Sequence, residues 1–372
     1  MNSLIAWDTI KVSFPGLGIK DIDVNRIAVK LGSVEVYWYG VLIAVGVCLA
    51  VILAMTQAKK NKMSADLILD YGLLCVPAAL VGARLYYVFS SWGDYYVKGD
   101  FGKTISNIVD FRSGGLAVYG GVIAALIAAI AMSKIRKIPI SAIIDYAIIY
   151  IPLGQAIGRW GNFFNQEAFG TNTNLPWGMI STETKWYLQT YCPTLDPSQP
   201  VHPTFLYESI ATILIFVGLY FIRKHSKRAY TTTASYMIFY GIVRFFIEGL
   251  RTDSLYIGET SLRTSQVVSV VLVVMGFLLI ACARIFDWQR MPIPERFLTG
   301  NKASADATNI EEASIETTES TTESTTATTD KAEEAKEDAV DDPDIEVESD
   351  KEEADEKKLV DSEEIDDAST NE

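Results

Sequence analysis

An all-α polytopic membrane protein with seven crossings is the fold that this sequence predicts. Seven apolar segments each approach the roughly 20 residues needed to cross a hydrocarbon core. Clusters of cations follow every second one of them. Beyond about residue 300 the composition turns acidic and loses every aromatic residue, which marks off a tail from the body.

The apolar segments fall at 38–57, 67–89, 115–132, 140–157, 204–222, 234–250 and 264–284. The first 37 residues are mixed in character and lack an apolar run behind basic residues, so no cleavable leader is expected there. That outer segment has room for a short amphipathic helix lying on the membrane surface. Residues 38–290 then form the membrane domain and 291–372 the tail. Of the 46 acidic and 32 basic residues, 27 and 6 lie in residues 301–372, so a tail of −21 is attached to a body of +7. Such a tail has too little apolar surface to offset its ordering entropy and is expected to be disordered from about residue 301.

Lys59-Lys60-Asn61-Lys62, Lys134-Ile135-Arg136-Lys137 and Arg223 to Arg228 follow the first, third and fifth segments, and Arg284, Arg290 and Arg296 follow the seventh. Seven crossings put all four groups on one side, which the positive-inside rule makes cytoplasmic. The N-terminus is then outside and the tail inside. The four cysteines show no metal-ligand spacing, and two histidines, His202 and His225, do not make a zinc site.

Polar residues collect at the level opposite those cations. Tyr37, Trp38 and Tyr39 open the first segment, where they read either as an interfacial aromatic belt or as ligand contacts. Arg84 lies near the outer end of the second, and Tyr119 in the Gly-rich start of the third. Arg159, Asn162, Asn165 and Glu167 follow the fourth, and His202, Tyr207 and Glu208 introduce the fifth. In the sixth, Tyr240, Arg244 and Glu248 are four apart and share a helical face that Arg251 extends. An arginine in a span costs at least about 2.5–3.5 kcal/mol, so each needs a partner or an anionic ligand. A phosphate suits, because a guanidinium binds it bidentately. Arg84 and Arg251 read equally as snorkelling residues. Asp145, in the inner part of the fourth segment, reads as a buried hydrogen-bonder or a site carboxylate, and Glu208 as a helix-start cap or an arginine partner. The paired glycines at 114–115 and 120–121 point to close helix packing.

Residues 158–170 read Gly-Arg-Trp-Gly-Asn-Phe-Phe-Asn-Gln-Glu-Ala-Phe-Gly. They resemble the signature of the bacterial prolipoprotein diacylglyceryl transferases, Gly-Arg-x-Gly-Asn-Phe-x-Asn-x-Glu-x-x-Gly, at every fixed position. Trp38-Tyr39-Gly40, Gly82-Ala83-Arg84, Gly114-Gly115-Leu116, His202-Pro203-Thr204 with Leu206-Tyr207-Glu208, and Tyr240 through Arg251 agree with that family in the same order. The likeness covers about residues 30 to 290 and leaves out the tail. It implies transfer of the sn-1,2-diacylglyceryl group of phosphatidylglycerol to the lipobox cysteine of a prolipoprotein, as the first step of lipoprotein maturation. A thioether forms and glycerol phosphate leaves. The partners implied are phosphatidylglycerol, the prolipoprotein signal peptide and the bilayer of a bacterial cytoplasmic membrane, with the site at the outer leaflet. No nucleic acid, metal or soluble cofactor is implied.

By the same resemblance Arg159 and Arg244 are the essential arginines. Tyr39, Asn162, Glu167, Gly170, Tyr240 and Glu248 are supporting site residues. Many members carry histidine in a Gly-Gly-Leu-x-x-His-Gly-Gly block where this chain has Tyr119. A histidine base therefore does not carry over. Either Tyr119 acts with a pKa lowered by arginine, or a group such as His202 assists, or the substrate thiol, already partly thiolate at neutral pH, needs little help. The stretch from Thr171 to Pro203 is expected to be an outer loop that helps admit the signal peptide. A lipid or anion transporter would also use arginines, but with polar residues continuing to the other side and often inverted repeats. The inner halves of these segments are mainly apolar, and a passive scaffold would leave the arginine-amide-carboxylate set without a purpose.

Overall fold

The computed structural model describes residues 9–32, 34–111, 114–258 and 260–298; the expectations for the acidic tail lie outside the described residues. From Thr9 on, the described part of this outer segment is strands and not the surface helix for which the sequence had room. β1 (Thr9–Phe14), β2 (Ile19–Asn25), β3 (Ile27–Leu31) and β4 (Val34–Tyr37) form two antiparallel hairpins. The reason is the period of the sequence. Ile10 and Val12 alternate with polar residues and are fully buried, a pattern of two that a helix cannot bury on one face.

The helices follow in order. α1 (Trp38–Ala58) and α2 (Ala65–Ser90) are joined by a short basic turn, with Ser64 capping α2 by accepting from the Leu67 amide. The small helices α3 (Trp92–Tyr95) and α4 (Phe101–Val109) precede α5 (Val118–Arg136). The fourth apolar segment is not one helix. It breaks into α6 (Ile140–Ala147) and α7 (Ile151–Asn165), inclined by 41°. Pro152 in the first turn of α7 has no N–H to continue the preceding helix, and its fixed φ suits a new start. α7 also runs further than the apolar run, to a left-handed cap at Gln166, so Arg159, Asn162 and Asn165 lie on the helix rather than after it.

Thr171 to Pro203 is likewise not a loop. β5 (Ile180–Ser181) joins the edge of β1 to give the order β2-β1-β5, and α8 (Thr182–Tyr191) starts in a capping box made by Ser181 and Thr184. Together with the first strands these residues form a small head. Ile10, Val12, Met179, Leu188, Val201 and Phe205 are its core.

α9 (Thr204–His225), α10 (Thr231–Leu250) and α11 (Thr264–Ile285) complete the bundle. Among the described residues five helices are long and apolar enough to cross a membrane, and six if α6 and α7 count as one bent span. α10 is 20 residues long but does not reach that apolarity, because Arg244, Glu248 and a run of three threonines lie within it. The expectation of seven thus stands at five or six on length and composition. The protein is a multi-pass membrane protein. Large apolar side chains such as Phe89, Leu214 and Phe246 face outward from the bundle, where lipid is their natural neighbour.

The four basic clusters meet at one end. The Ser64 amide donates to Phe297, the Ala229 amide to Trp288 and the Arg290 amide to Lys227. At the opposite end the Gly170 amide donates to His202 and the Thr171 amide to Leu250. Between these ends the helices approach closely through small residues. The paired glycines divide by role. Gly120 and Gly121 pack against α2, whereas Gly114 and Gly115 sit in the loop before α5 with φ of +83° and +76°.

A side chain at Gly82 would place its Cβ 2.2 Å from the Ala124 Cβ and 2.7 Å from the Gly120 carbonyl oxygen. Gly82→Leu is expected to force α2 and α5 apart at a cost of about 1–3 kcal/mol and to lower the thermal midpoint in detergent. Gly218→Ala meets nothing within 4 Å and should not lower it. Equal midpoints for the two variants would contradict this crossing.

Candidate functional site

Two arginines from different helices share one buried carboxylate at the end remote from the basic clusters. On α7, Arg159 Nη2 lies 2.7 Å from Glu208 Oε1. On α10, Arg244 Nη1 lies 3.1 Å from Glu208 Oε2, while its Nη2 lies 2.6 Å from Glu248 Oε2. Glu208, in the first turns of α9, and Glu248 are each 2% exposed. A carboxylate desolvated to that degree needs cationic or N–H partners, and Glu208 obtains two cations plus the Tyr240 hydroxyl, which donates to it at 3.3 Å. The pairing answers the two readings of Glu208 in favour of an arginine partner.

A second chain of hydrogen bonds leaves Arg159 toward the head. Arg159 Nη1 donates to Asn162 Oδ1 at 3.1 Å, and Asn162 Nδ2 donates to Glu167 Oε1 at 2.9 Å. Asn165 Nδ2 reaches the same oxygen at 3.3 Å. The left-handed turn at Gln166 makes this possible, since it folds Glu167 back on the helix that carries Asn162. Tyr39, at the start of α1, lies flat against Gly161, where an added Cβ would come within 2.6 Å of its ring. Trp38 stacks on Phe164 with ring centroids 5.0 Å apart. Gly170 is required by crowding, for a Cβ there would lie 2.7 Å from the His202 Cβ.

Each guanidinium carries five N–H donors, and the bonds named above engage only some of them. The pair is therefore held in place yet able to donate to a further oxyanion. Two residues beneath the pair were missed from the sequence. Tyr236 stacks on Tyr240 at 5.5 Å, and Gln155 Nε2 donates to the Tyr236 hydroxyl at 2.9 Å. The signal was present: Tyr236 lies four before Tyr240, and Gln155 four before Arg159.

Other candidates lie elsewhere. Arg84 is 1% exposed and neither snorkels nor joins the pair. It donates to the carbonyls of Ile108 (2.9 Å), Asn107 (2.9 Å), Asp110 (2.7 Å), Gly115 (3.2 Å) and Gly114, and stacks over Tyr95. It organises the chain between α2 and α5. Arg251 makes a two-pronged pair with Asp253, at 2.9 and 2.8 Å. Asp145 is the buried hydrogen-bonder of its two readings: it accepts from the amide and hydroxyl of Thr233 at the start of α10, near the basic end. His202 Nδ1 lies 3.0 Å from the Tyr207 hydroxyl, which also accepts from Trp177. Burial pushes the His202 imidazole below its ordinary pKa, which leaves it neutral and a weak base at pH 7. Among the described residues no hydrogen bond or ion pair joins Tyr119, half-exposed at the start of α5, to the arginines. No group of three or more metal-ligating side chains occurs among them either.

A family model described as prolipoprotein diacylglyceryl transferase matches residues 26–282. A phosphatidylglycerol–prolipoprotein diacylglyceryl transferase of Finegoldia magna is 45% identical over 256 residues, covering 68% of this chain and 94% of the relative. Proteins of the same description from Oceanobacillus iheyensis and Clostridioides difficile are 40% and 41% identical. They cover 74% and 68% of this chain, and 91% and 93% of their own length.

Removing the Arg84 fork takes a charged donor from several carbonyls of the segment, each such hydrogen bond contributing about 1.5–3 kcal/mol. Arg84→Ala is expected to open the 91–117 segment to proteolysis in detergent while cleavage elsewhere is unchanged. Protection equal to that of the unaltered protein would show that Arg84 does not hold this segment.

Proposed function

The chain belongs to the prolipoprotein diacylglyceryl transferase family, and we propose that it moves the diacylglyceryl group of phosphatidylglycerol onto the lipobox cysteine of an exported prolipoprotein. The observation that carries this reading is the Arg159–Glu208–Arg244 clasp, preorganised at one end of an apolar bundle. A phosphodiester anchored in lipid by its two acyl chains meets both guanidinium groups there and keeps its tails among the outward-facing apolar side chains.

In the step proposed, the cysteine sulfur attacks the glyceryl carbon that bears the phosphate. The sulfur–carbon bond forms as the carbon–oxygen bond breaks, its electron pair leaving with glycerol phosphate, and the thiol proton goes to a base or to water. Negative charge grows on the departing phosphate, where Arg159 and Arg244 donate to it. Because Glu208 and Glu248 already hold the two side chains, little reorganisation accompanies the step. Asn162, Glu167, Tyr39, Tyr240 and Gly170 orient the clasp and its approaches. Tyr119 is proposed to assist the thiol. His202 is the weaker candidate, since its lowered pKa and its bond to Tyr207 both disfavour proton uptake.

The proposed placement has α10 as a seventh crossing, with its charges shielded by the clasp. The N-terminal head and the arginine pair then face the outer leaflet of the bacterial cytoplasmic membrane, with the basic end in the cytoplasm. What supports this orientation is the gathering of four cation clusters at one end, under the positive-inside rule. The acidic tail would follow that end into the cytoplasm, where an anionic leaflet repels it.

Purified protein, phosphatidylglycerol and a lipobox peptide should yield a diacylglyceryl-modified peptide by mass spectrometry. Arg159→Ala and Arg244→Ala should each reduce turnover by about 10²–10³-fold, by analogy with loss of one oxyanion-hole donor. Arg→Lys at either position separates charge from the two-pronged geometry and guards against loss of fold. Normal turnover in all four variants would sink the assignment.

For Tyr119, a proton-transfer role predicts that Tyr119→Phe alters the pH–rate profile. An unchanged profile returns the residue to packing. Deletion of residues 301–372 should leave turnover unaltered.

A further inference from the structure

A cavity of about 350 Å³ lies where the head meets the end of α7, and the reaction outlined above gives it no role. Its size is within the range of small-ligand sites, about 300–1,000 Å³. Its walls come from the turn between β2 and β3 at Arg26, from Gln166 and Glu167 after α7, from Glu183 and Tyr187 on α8, and from Asp253 beyond α10.

Two of these side chains are more than nine-tenths buried and carry acceptors without a hydrogen-bond donor. Gln166 is 2% exposed; its Nε2 donates to the Phe163 carbonyl at 2.6 Å, while its Oε1 has no partner. Glu183 is 4% exposed. Arg26 Nη2 stands 3.3 Å from Glu183 Oε2, an ion-pair distance, but off the hydrogen-bonding direction, and that oxygen too has no donor. Arg26 spends Nη2 on the Asn165 carbonyl at 3.1 Å, and its Nε is unpartnered. Buried acceptors of this kind are rare in folded proteins unless a ligand or water satisfies them.

The chemistry of the walls selects the ligand. Three carboxylates against one cation repel a phosphate, so the lipid's anionic group belongs at the clasp and not here. The missing partners are N–H or O–H donors for the two oxygens and an acceptor for Arg26 Nε, and a polypeptide main chain offers both. An extended polypeptide presents backbone N–H groups at a rise of about 3.3 Å per residue. Arg26, Glu183 and Tyr187 bring the head to this wall, and the head approaches a substrate from the aqueous side in the proposed orientation. Glu167 lies on the wall and is linked through Asn162 to Arg159, so an occupant sits next to the reacting lipid.

We propose that this cavity binds the main chain of the prolipoprotein beside its reacting cysteine, with Gln166 Oε1 and Glu183 Oε2 accepting from backbone N–H groups. The inference rests on the transferase reading above. Gln166 and Glu183 are then binding residues for the peptide and do not touch the lipid.

The test uses the full chain in phosphatidylcholine vesicles containing phosphatidylglycerol, with a synthetic lipobox peptide. Glu183→Gln and Gln166→Asn, the latter chosen because asparagine tolerates the left-handed backbone, should each raise the peptide KM at least tenfold. The KM for phosphatidylglycerol should stay within twofold. A rise only in the phosphatidylglycerol KM would overturn the proposal, since the cavity would then receive the glycerol hydroxyls of the head group. Unchanged values for both substrates would overturn it as well.

A second measurement does not depend on those variants folding. A benzophenone amino acid in place of Tyr187 should crosslink a peptide whose cysteine is replaced by serine, and excess unlabelled peptide should suppress the product. Lack of that crosslink removes the peptide from the cavity. If the unaltered protein makes no modified peptide at all, the transferase reading has failed. If it turns over and only the cavity variants are silent, the cavity assignment alone has failed.

Discussion

A largely buried guanidinium has to be partnered, and in this protein one buried carboxylate partners two of them. Glu208 on α9 holds Arg159 of α7 at 2.7 Å and Arg244 of α10 at 3.1 Å. Three helices are therefore tied at one level by charge as well as by packing. Losing one member of such a set strands the others in a medium that cannot solvate them, at about 3–5 kcal/mol. Much of the surrounding structure serves this arrangement. Tyr240 adds a donor to Glu208, Glu248 takes the second edge of Arg244, and Asn162 with Glu167 carries the network outward to the head.

Four of the arginines at this end show how context assigns work to one residue type. Arg84 is enclosed by carbonyl oxygens and braces a connecting segment. Arg251 is neutralised by Asp253 two residues on. Arg159 and Arg244 alone combine partly exposed side chains with a shared counter-ion, which holds them in position while leaving donors for an incoming anion. Room for an anion here follows from incomplete satisfaction, not from charge as such.

The two ends of the bundle are built on different principles. At the basic end, backbone hydrogen bonds fasten the segment after α11 to the turns that follow α1 and α9, and an apolar core including Met63, Leu67, Tyr146 and Leu219 fills the space. At the other end a sheet and a short helix make a separate core above the polar network. The first end is held by that core and those backbone bonds. The second leaves a cavity between head and bundle.

Much of this could be read from residues 1–300 alone. Hydropathy marked the helices because a bilayer imposes length and apolarity on any segment that crosses it. The cations marked a common side, and the four-residue spacing of Tyr240, Arg244 and Glu248 marked a face, because helical periodicity is local. The dense motif at 158–170 marked the candidate site. Tertiary structure decided what depends on partners distant in sequence. Glu208 became the shared counter-ion, Arg84 a brace and Asp145 the anchor for the start of α10. Residues 9–25 and 171–203 became one folded head, since β1 finds its second neighbour, β5, only across more than 160 residues of chain. Periodicity states which face a residue occupies; which charge waits opposite is settled only when the helices meet.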